Sequence, residues 1–439
     1  MQRRLHRNQA PAFKAKVAPR TAFELSRSRW RRDHFVGTLK TKLRPVARAV
    51  RATVRAPGRL LLALTAPLAR IAGTCAARIR KRKATRALFF FFPWDLIGGA
   101  DLVHVAIVES VAAQRSLVVF DLLPARPALA DRFNRVSDVW RLGGWLRDHP
   151  LAPLTRNFLA GYISAHRGAV VLGGSSATFY DLASLLPAHV TCIDLLHALR
   201  GGYVERSLEI APRLNTRVII TPEIRDGMAS LYRSAGYPSS LLDRVVLIRN
   251  PNLLPVAGAR PASDGTLRVL YVGRDSPEKR LELLAAVAEA ARRRTSSPPH
   301  FTAIGDISPG RLPGFECRGL IAHDNELSRV YLEHDVLLLT SSREGFPLVV
   351  TEAMNHGVIP VCTAVGGLPQ MLNDGDDSFL LPPEPASSVL IELIVDRLVV
   401  LATDRDRRAR MSDQARRKAH GWSNRDAFDA AYRHLLQPA

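Results

Sequence analysis

Apolar positions between residues 87 and 252 fall into short runs separated by stretches of mixed polarity. Short apolar runs bounded by turn residues are typical of strands buried on both faces of a parallel sheet, and the stretches between them have the length of helices. The pattern predicts strands at Leu88–Phe92, Leu117–Phe120, Ala169–Leu172, Val190–Ile193, Val218–Ile220 and Val245–Ile248, and helices at Leu102–Ala113, Ala177–Leu186 and Glu223–Ala235.

A second series of the same kind follows Asn250–Asp264, a stretch rich in Pro, Gly and Ala that is typical of a linker. It predicts strands at Arg268–Val272, Phe301–Ile304, Val336–Leu339 and Ile359–Cys362, and helices at Arg280–Arg293, Glu326–His334 and Leu348–His356. We therefore expect an α/β fold class, with two doubly wound Rossmann-like domains facing across a cleft. The expected domains are residues 87–252 and 262–422. Residues 423–439 should form a helix that crosses back to the first domain, and residues 1–86 form an N-terminal arm.

The excess of positive charge lies entirely in the N-terminal arm. The 439 residues contain 62 Lys and Arg against 40 Asp and Glu, a formal net charge of +22. Residues 1–88 hold 24 of these bases and only two acids, Glu24 and Asp33, so 38 bases and 38 acids remain for the rest of the chain. A neutral body argues against a nucleic-acid-binding domain, since phosphate neutralisation needs a basic folded face.

The arm contains a helix-like stretch from Leu43 to Arg82, whose most apolar part is Leu60–Ala69. That part is about half of the ~20 apolar residues that a transmembrane helix needs, and no signal peptide is evident. Two interpretations stay open: a surface helix bound to anionic lipid, or a solvated or disordered basic leader. Four scattered cysteines without Cys-x-x-Cys spacing indicate a reducing compartment and no structural zinc site.

The most informative chemistry lies in residues 341–367. A buried strand ends at Thr340, and Pro347 stands where a helix should start, a position that suits proline. The helix N-terminus then lies at the carboxyl edge of the sheet, where its free N–H groups can bind a diphosphate. Glu344 precedes this helix and Glu352 lies within it, so two carboxylates could accept hydrogen bonds from hydroxyls of a hexose and of a ribose.

These residues resemble a known family. Glu344-Gly345-Phe346-Pro347-Leu348, followed by Glu352-Ala-Met-x-x-Gly-x-x-Pro-Val, is similar to the family-4 retaining glycosyltransferases, whose hallmark is two glutamates separated by seven residues. The resemblance is firm over roughly residues 265–385. It implies the two-domain GT-B fold, a nucleotide-sugar donor, retention of anomeric configuration and no metal.

A second cluster follows the strand Arg268–Val272. Gly273 allows close backbone approach, and Arg274 and Lys279 bring two positive charges to one turn, which a diphosphate leaving group needs where no metal supplies charge. The segment looks like the family's Gly-Arg…Glu-Lys segment, which implies that Arg274 and Lys279 hold the donor pyrophosphate.

The first domain matches more weakly. Gly98-Gly99-Ala100-Asp101 looks like the family's Gly-Gly-x-Glu loop beneath the donor phosphates, with Asp101 where Glu is usual; a plain strand-to-helix turn is the alternative. The family often places a His near the reacting sugar after the strand Val190–Ile193, which makes His197 the candidate and Asp194 its competitor.

The sequence thus predicts a hexosyltransferase. Expected catalytic groups are Glu344 and His197 or Asp194; the expected donor-binding residues are Gly98, Gly99, Gly273, Arg274, Lys279, Gly345, Phe346, Pro347, Leu348 and Glu352. No cofactor or metal is expected. The expected partners are a nucleotide sugar, a glycan or lipid-linked acceptor, and an anionic membrane surface bound through residues 1–86, which would place a cytoplasmic protein on the inner face of a membrane. The alternative is an inactive, membrane-docked scaffold or sugar-binding subunit.

Overall fold

The computed structural model describes residues 62, 64–79, 88–124, 127–199, 203–255, 265–383, 386–422 and 424–437. Both sheets of the protein belong to one compact unit, Ala66–Ala439. Most of the predicted arm, and residues 256–264 of the predicted linker, lie outside the described residues.

The first sheet has seven parallel strands in the order β3-β2-β1-β4-β5-β6-β7. Its strands are β1 (Leu88–Phe92), β2 (Ser116–Phe120), β3 (Asp138–Arg141), β4 (Val170–Gly174), β5 (Thr191–Leu196), β6 (Thr216–Ile219) and β7 (Val245–Leu247). A helix over residues 64–79 (α1) precedes the sheet. The connecting helices are α2 (Gly99–Ser110), α3 (Ala130–Val136), α4 (Ala152–Ser164), α5 (Ala177–Ala183), α6 (Val204–Glu209) and α7 (Pro222–Ser234).

The second sheet has six parallel strands in the order β10-β9-β8-β11-β12-β13. Its strands are β8 (Arg268–Val272), β9 (His300–Ile304), β10 (Glu316–Cys317), β11 (Val336–Leu339), β12 (Ile359–Thr363) and β13 (Phe379–Leu381). The helices are α8 (Leu281–Arg294), α9 (Asp324–Leu332), α10 (Leu348–Asn355), α11 (Leu368–Met371), α12 (Ser387–Thr403), α13 (Arg405–Trp422) and α14 (Arg425–Leu435). The predicted fold class, α/β with two parallel sheets, is confirmed.

The side chains of strand β1 contribute to the apolar clusters on both faces of the first sheet. Successive side chains of a strand point to opposite faces. Phe90 and Phe92 therefore join a core that continues into the second sheet, whereas Phe89 and Phe91 join a separate cluster on the other face. All four side chains are at most 2% exposed, which explains why the run carries no polar alternation.

Helix α1 lies inside the segment assigned to the arm, yet it packs on α4 of the body. A Cβ added at Gly73 would collide with the carbonyl oxygen of Phe158, and Thr74 Oγ1 donates to the Gly161 carbonyl at 3.2 Å. Ala77 is fully buried in the cluster with Phe89. Neither open interpretation of the arm covers this packed helix, because a composition rich in Arg and Ala does not reveal a close glycine crossing. Within the described residues, no helix combines the length and apolarity that crossing a bilayer requires.

The last helix, α14, packs on α2 of the first sheet. Its buried side chains are Phe428 and Tyr432, and Arg425 reaches Glu109 of α2 at 3.4 Å. The end of the chain thus joins the second half of the protein to the first.

Candidate active site

The carboxyl ends of β8, β9 and β11 meet at one edge of the second sheet. Gly305, just after β9, has φ +139°, and a Cβ there would collide with the carbonyl of Gly273, just after β8. Only glycine permits that approach. Arg274 follows with an exposed side chain. The close crossing therefore holds the two strand ends side by side.

Glu344 lies at this edge in a fixed position. Its Oε1 accepts from Lys279 Nζ at 2.5 Å and from Ser341 Oγ at 2.6 Å. The two side chains of the ion pair are 16% (Lys279) and 10% (Glu344) exposed, so the pair is partly screened from water. The structure therefore brings the predicted carboxylate and the predicted cation into direct contact.

Arg280 was not singled out by the sequence and holds this arrangement together. Its backbone is left-handed, with φ +51°. Its guanidinium donates to the carbonyls of Thr340 and Ser341, and Thr340 Oγ1 in turn donates to the Lys279 carbonyl at 2.9 Å. The turn carrying Lys279 is thereby fastened to the strand end that leads to Glu344. The positive φ of Arg280 marks it as a special position in the turn, but a backbone angle cannot be recognised from the sequence.

Helix α10 begins directly after Pro347, as predicted, and Phe346, Pro347 and Leu348 are buried at its start. The preceding Gly345 is packed between two neighbours. A Cβ at Gly345 would collide with the His197 carbonyl oxygen, and a Cβ at Gly366 would collide with the Glu344 carbonyl oxygen. The loop is thus held against the carboxyl edge of the first sheet.

Glu352 lies inside α10, 5% exposed, and accepts from Tyr331 Oη at 2.9 Å. Burial raises its pKa to about 7, because the charged form loses hydration; the Tyr331 hydrogen bond works against this rise and the nearby Asp324 adds to it. A carboxyl group with this pKa can take up or release its proton near neutral pH.

The first sheet contributes the N-terminus of α2. Gly98 caps this helix, and a Cβ on Gly99 would lie 3.7 Å from Leu348, so the N-termini of α2 and α10 face each other. Asp101 in the first turn of α2 is 5% exposed. Burial raises the pKa of Asp101 to about 7, and Arg274 of the other sheet lowers it in part. Both helix ends present N–H groups and a positive dipole end.

His197 follows β5 and pairs with a second histidine that the sequence analysis missed. Its Nε2 lies 3.0 Å from His104 Nε2, and His104 stacks on Phe92 at 4.0 Å between ring centroids. Burial lowers the pKa of His197 to about 4 and that of His104 well below its usual value, so both rings are neutral at pH 7. One Nε2 must then carry the hydrogen and the other accept it.

Asp194 does not join this group. It is a fully buried residue of β5, where Oδ2 accepts from Arg217 Nε at 3.0 Å and Oδ1 accepts from Tyr180 Oη at 3.1 Å. Arg217 also donates to Tyr232 and to the Ser207 carbonyl. The competitor to His197 therefore belongs to a buried structural ion pair, and of the two candidates only His197 follows the end of β5.

Comparison with known proteins identifies the fold and a family match in the second half of the chain. Residues 266–398 match the family model described as Glycosyl transferases group 1. The chain resembles solved structures of HepE from Anabaena, including its complex with UDP, with a TM-score of 0.61 at 16% identity over 80% of this chain and 99% of that one. The fold is GT-B. The same GT-B likeness extends to TarM, with a TM-score of 0.61 at 10% identity over 81% of this chain and 99% of that one.

Curated relatives match shorter stretches of this GT-B chain. It is 31% identical over 173 residues to the sulfoquinovosyl transferase SQD2 of Arabidopsis thaliana, a match that covers 36% of this chain and 31% of that protein. The N-acetyl-alpha-D-glucosaminyl L-malate synthase of Bacillus anthracis is 33% identical over 86 residues, 20% of this chain and 21% of that protein. The chain thus spans a third or less of the length of these two relatives.

Proposed function

We propose that this protein is a retaining glycosyltransferase that moves a hexose-type sugar from a nucleoside-diphosphate sugar to a glycan or lipid-linked acceptor. The observation that carries the proposal is the Lys279–Glu344 pair, 2.5 Å apart, whose carboxylate lies in the loop just before the N-terminus of α10. The N-terminus of α2 contacts this end of α10. This combines positive charge for a diphosphate with a carboxylate for a sugar hydroxyl in one cleft.

The donor diphosphate would bind between Arg274, Lys279 and the N-terminus of α10. Arg274, Lys279 (paired with Glu344) and the helix dipole would stabilise the departing diphosphate, and we propose a transfer without a metal or a cofactor. Gly273 and Gly305 keep side chains away from this position, and the α2 N-terminus with Gly98 and Gly99 would lie on its other side.

The remaining groups would orient the donor. Glu352, deep in α10, would accept from the ribose hydroxyls, and Glu344 would accept from the hexose. During transfer the acceptor oxygen bonds to the anomeric carbon as the bond to the diphosphate oxygen breaks. In the retaining course, attack comes from the face that the diphosphate leaves, and the acceptor proton passes to a diphosphate oxygen. Neutral His197 would hydrogen-bond the reacting sugar without adding charge.

The relatives support this chemistry without naming the substrates of this chain. Solved structures of HepE include complexes with UDP and with UDP-glucose, and the Arabidopsis relative is named a sulfoquinovosyl transferase. For the acceptor we propose a glycan or a lipid-linked molecule. We also propose that residues 1–86 bring the protein to the cytoplasmic face of an anionic membrane by their charge.

Donor turnover tests the proposal. We expect Glu344→Gln and Lys279→Ala each to lower the rate of nucleoside diphosphate release from a panel of nucleotide sugars by about 100-fold or more, the range typical for loss of a charge-stabilising group. Mass spectrometry of the products identifies the donor.

Matched controls lie elsewhere in the chain. Lys418→Ala breaks an ion pair with Asp377 of similar length, 2.6 Å, and Glu289→Gln removes an exposed carboxylate; neither should change turnover. Full turnover in both Glu344→Gln and Lys279→Ala would refute the assignment. Absence of nucleotide binding in calorimetry would instead favour the inactive scaffold.

A further inference from the structure

Helix α1 has one face packed on the body and one face that the described residues leave uncovered. Gly73, Thr74 and Ala77 form the packed face against α4. The uncovered face carries large apolar side chains: Leu68 is 65% exposed, Ile71 59% and Ile79 80%, and Cys75 between them is also exposed.

These positions form a continuous stripe. Residues 68, 71, 75 and 79 are three or four apart, so they lie on one side of the helix over about 16 Å at 1.5 Å per residue. The glycine crossing fixes the helix about its axis, since rotation would drive other side chains into the Phe158 carbonyl. The stripe therefore cannot turn toward the protein core. Three exposed large apolar side chains in one row are unusual on a free surface.

Charge indicates what covers the stripe. Between residues 34 and 94 the sequence has 14 Lys and Arg and no Asp or Glu. Six of these bases directly follow or join the stripe: Arg78, Arg80, Lys81, Arg82, Lys83 and Arg86. A second copy of this chain would bring the same positive charge against itself. An apolar row within a stretch of sequence whose only charged residues are Lys and Arg is instead complementary to the interface of an anionic bilayer.

We propose that the outward face of α1, with Leu68, Ile71 and Ile79, inserts into the interfacial layer of an anionic membrane. This deepens the membrane association proposed above and rests on it. It adds that binding requires apolar insertion at one defined face and that the first sheet is held at the membrane through the α1–α4 crossing. Charge alone would bind without fixing the orientation of the cleft.

Flotation of the full chain with vesicles tests the stripe. The vesicles contain one part phosphatidylglycerol to three parts phosphatidylcholine. We expect the double variant Leu68→Gln/Ile71→Gln to bind them at least ~10-fold more weakly than the parent protein, because each substitution removes an apolar side chain that would be buried in the membrane. The matched control is Leu247→Gln/Val389→Gln, which replaces apolar side chains that are 37% and 50% exposed on other elements. The control should bind like the parent protein.

The native cysteines give a second measurement that does not depend on substituting the stripe. With Cys317→Ser, an environment-sensitive fluorophore on exposed Cys75 should shift to the blue when anionic vesicles are added. With Cys75→Ser, the same fluorophore on exposed Cys317 should not shift. Cys192 and Cys362 are buried and stay unlabelled.

Several outcomes would overturn the inference. Unchanged vesicle binding of the stripe variant with no Cys75 shift would show that charge alone binds the membrane, and the broader membrane proposal would survive. A change in oligomeric state of the stripe variant in light scattering would identify a second copy as the partner. A Cys75 probe already shielded without vesicles would identify another part of this chain. Nucleotide binding, measured in parallel, should be unchanged in every variant, which separates this test from the test of glycosyl transfer.

Discussion

At the scale of single residues, the cleft is governed by burial of groups that are usually charged. Glu352 and Asp101 have pKa values raised to about 7 by desolvation, and His197 has its pKa lowered to about 4 by the same cause. All three changes favour the neutral form of the side chain. A ligand that donates hydrogen bonds to Glu352 or Asp101 therefore competes with a proton near neutral pH.

The pH dependence of nucleotide binding tests the ionisation of Glu352. If ribose hydroxyls donate to its carboxylate, nucleotide binding favours the ionised form, so UDP affinity should rise as the pH increases through 7 and level off above about 8. In Glu352→Gln this part of the pH dependence should vanish, and affinity at pH 8 should fall roughly tenfold, as for loss of a charged hydrogen bond. Calorimetric titrations of both proteins from pH 6 to 8.5 measure it; ionisation of UDP affects both equally. Parallel curves for the two proteins would contradict the role of Glu352.

The site residues predicted from the sequence are positioned by local sequence patterns, whereas the positions of the others depend on contacts with residues distant in the chain. Glu344, Lys279 and the α10 start are set by a local strand–turn–helix pattern, and the structure brings them together. Asp194 has the same local setting as His197, but its place is decided by Arg217, 23 positions away. His104 has the apolar spacing of a core residue, so only the folded helix shows that it contacts His197.

At the scale of elements, the apolar runs predicted most strands of the two sheets, because a strand buried on both faces of a parallel sheet consists mainly of apolar residues. The strands β1, β8 and β11 begin and end where predicted. Strand β3 was missed because Asp138–Arg141 is a half-exposed edge strand with two charged residues of four. Helix α1 was missed as part of the body, since its packing uses glycine and alanine instead of a row of large apolar residues.

The α1–α4 crossing should be sensitive to one methyl group. Gly73→Ala places a Cβ against the Phe158 carbonyl, and overpacking against backbone typically costs ~1–3 kcal/mol of unfolding free energy. Gly421→Ala is the matched control: it lies in α13 with nothing within 4 Å, so it should be neutral or stabilise by up to ~1 kcal/mol. Urea unfolding followed by circular dichroism compares them. Equal stability of the two variants would mean that α1 does not pack at this crossing.

At the scale of the whole molecule, the two sheets are joined by a shared core, by the cleft loops and by α14. Phe428 and Tyr432 of α14 are at most 3% exposed, and this helix packs on α2, whose N-terminus lines the cleft. The C-terminal helix thus supports one wall of the proposed donor site from behind. The sequence predicted this crossing from a single amphipathic segment.

Removing that support should lower stability more than an equal change at the surface. We expect Phe428→Ala to lower the unfolding free energy by ~3–5 kcal/mol, as for other buried aromatic side chains. Val389→Ala, at a side chain 50% exposed, should change it little. Thermal melts with and without UDP measure both effects, and a Phe428→Ala protein as stable as the Val389→Ala protein would show that α14 is not part of the folded body.

The glycine crossing has a practical consequence for shortened versions of the protein. A version beginning at residue 87 would omit the basic residues but would also strip α1 from α4, leaving the backbone around Gly161 and the neighbours of Ala77 open to water. Poor solubility of such a version would then reflect an uncovered groove and say nothing about lipid. A shortened protein meant to isolate the role of the positive charges should therefore begin no later than residue 61. Alternatively, the Lys and Arg residues can be substituted one at a time in the full chain.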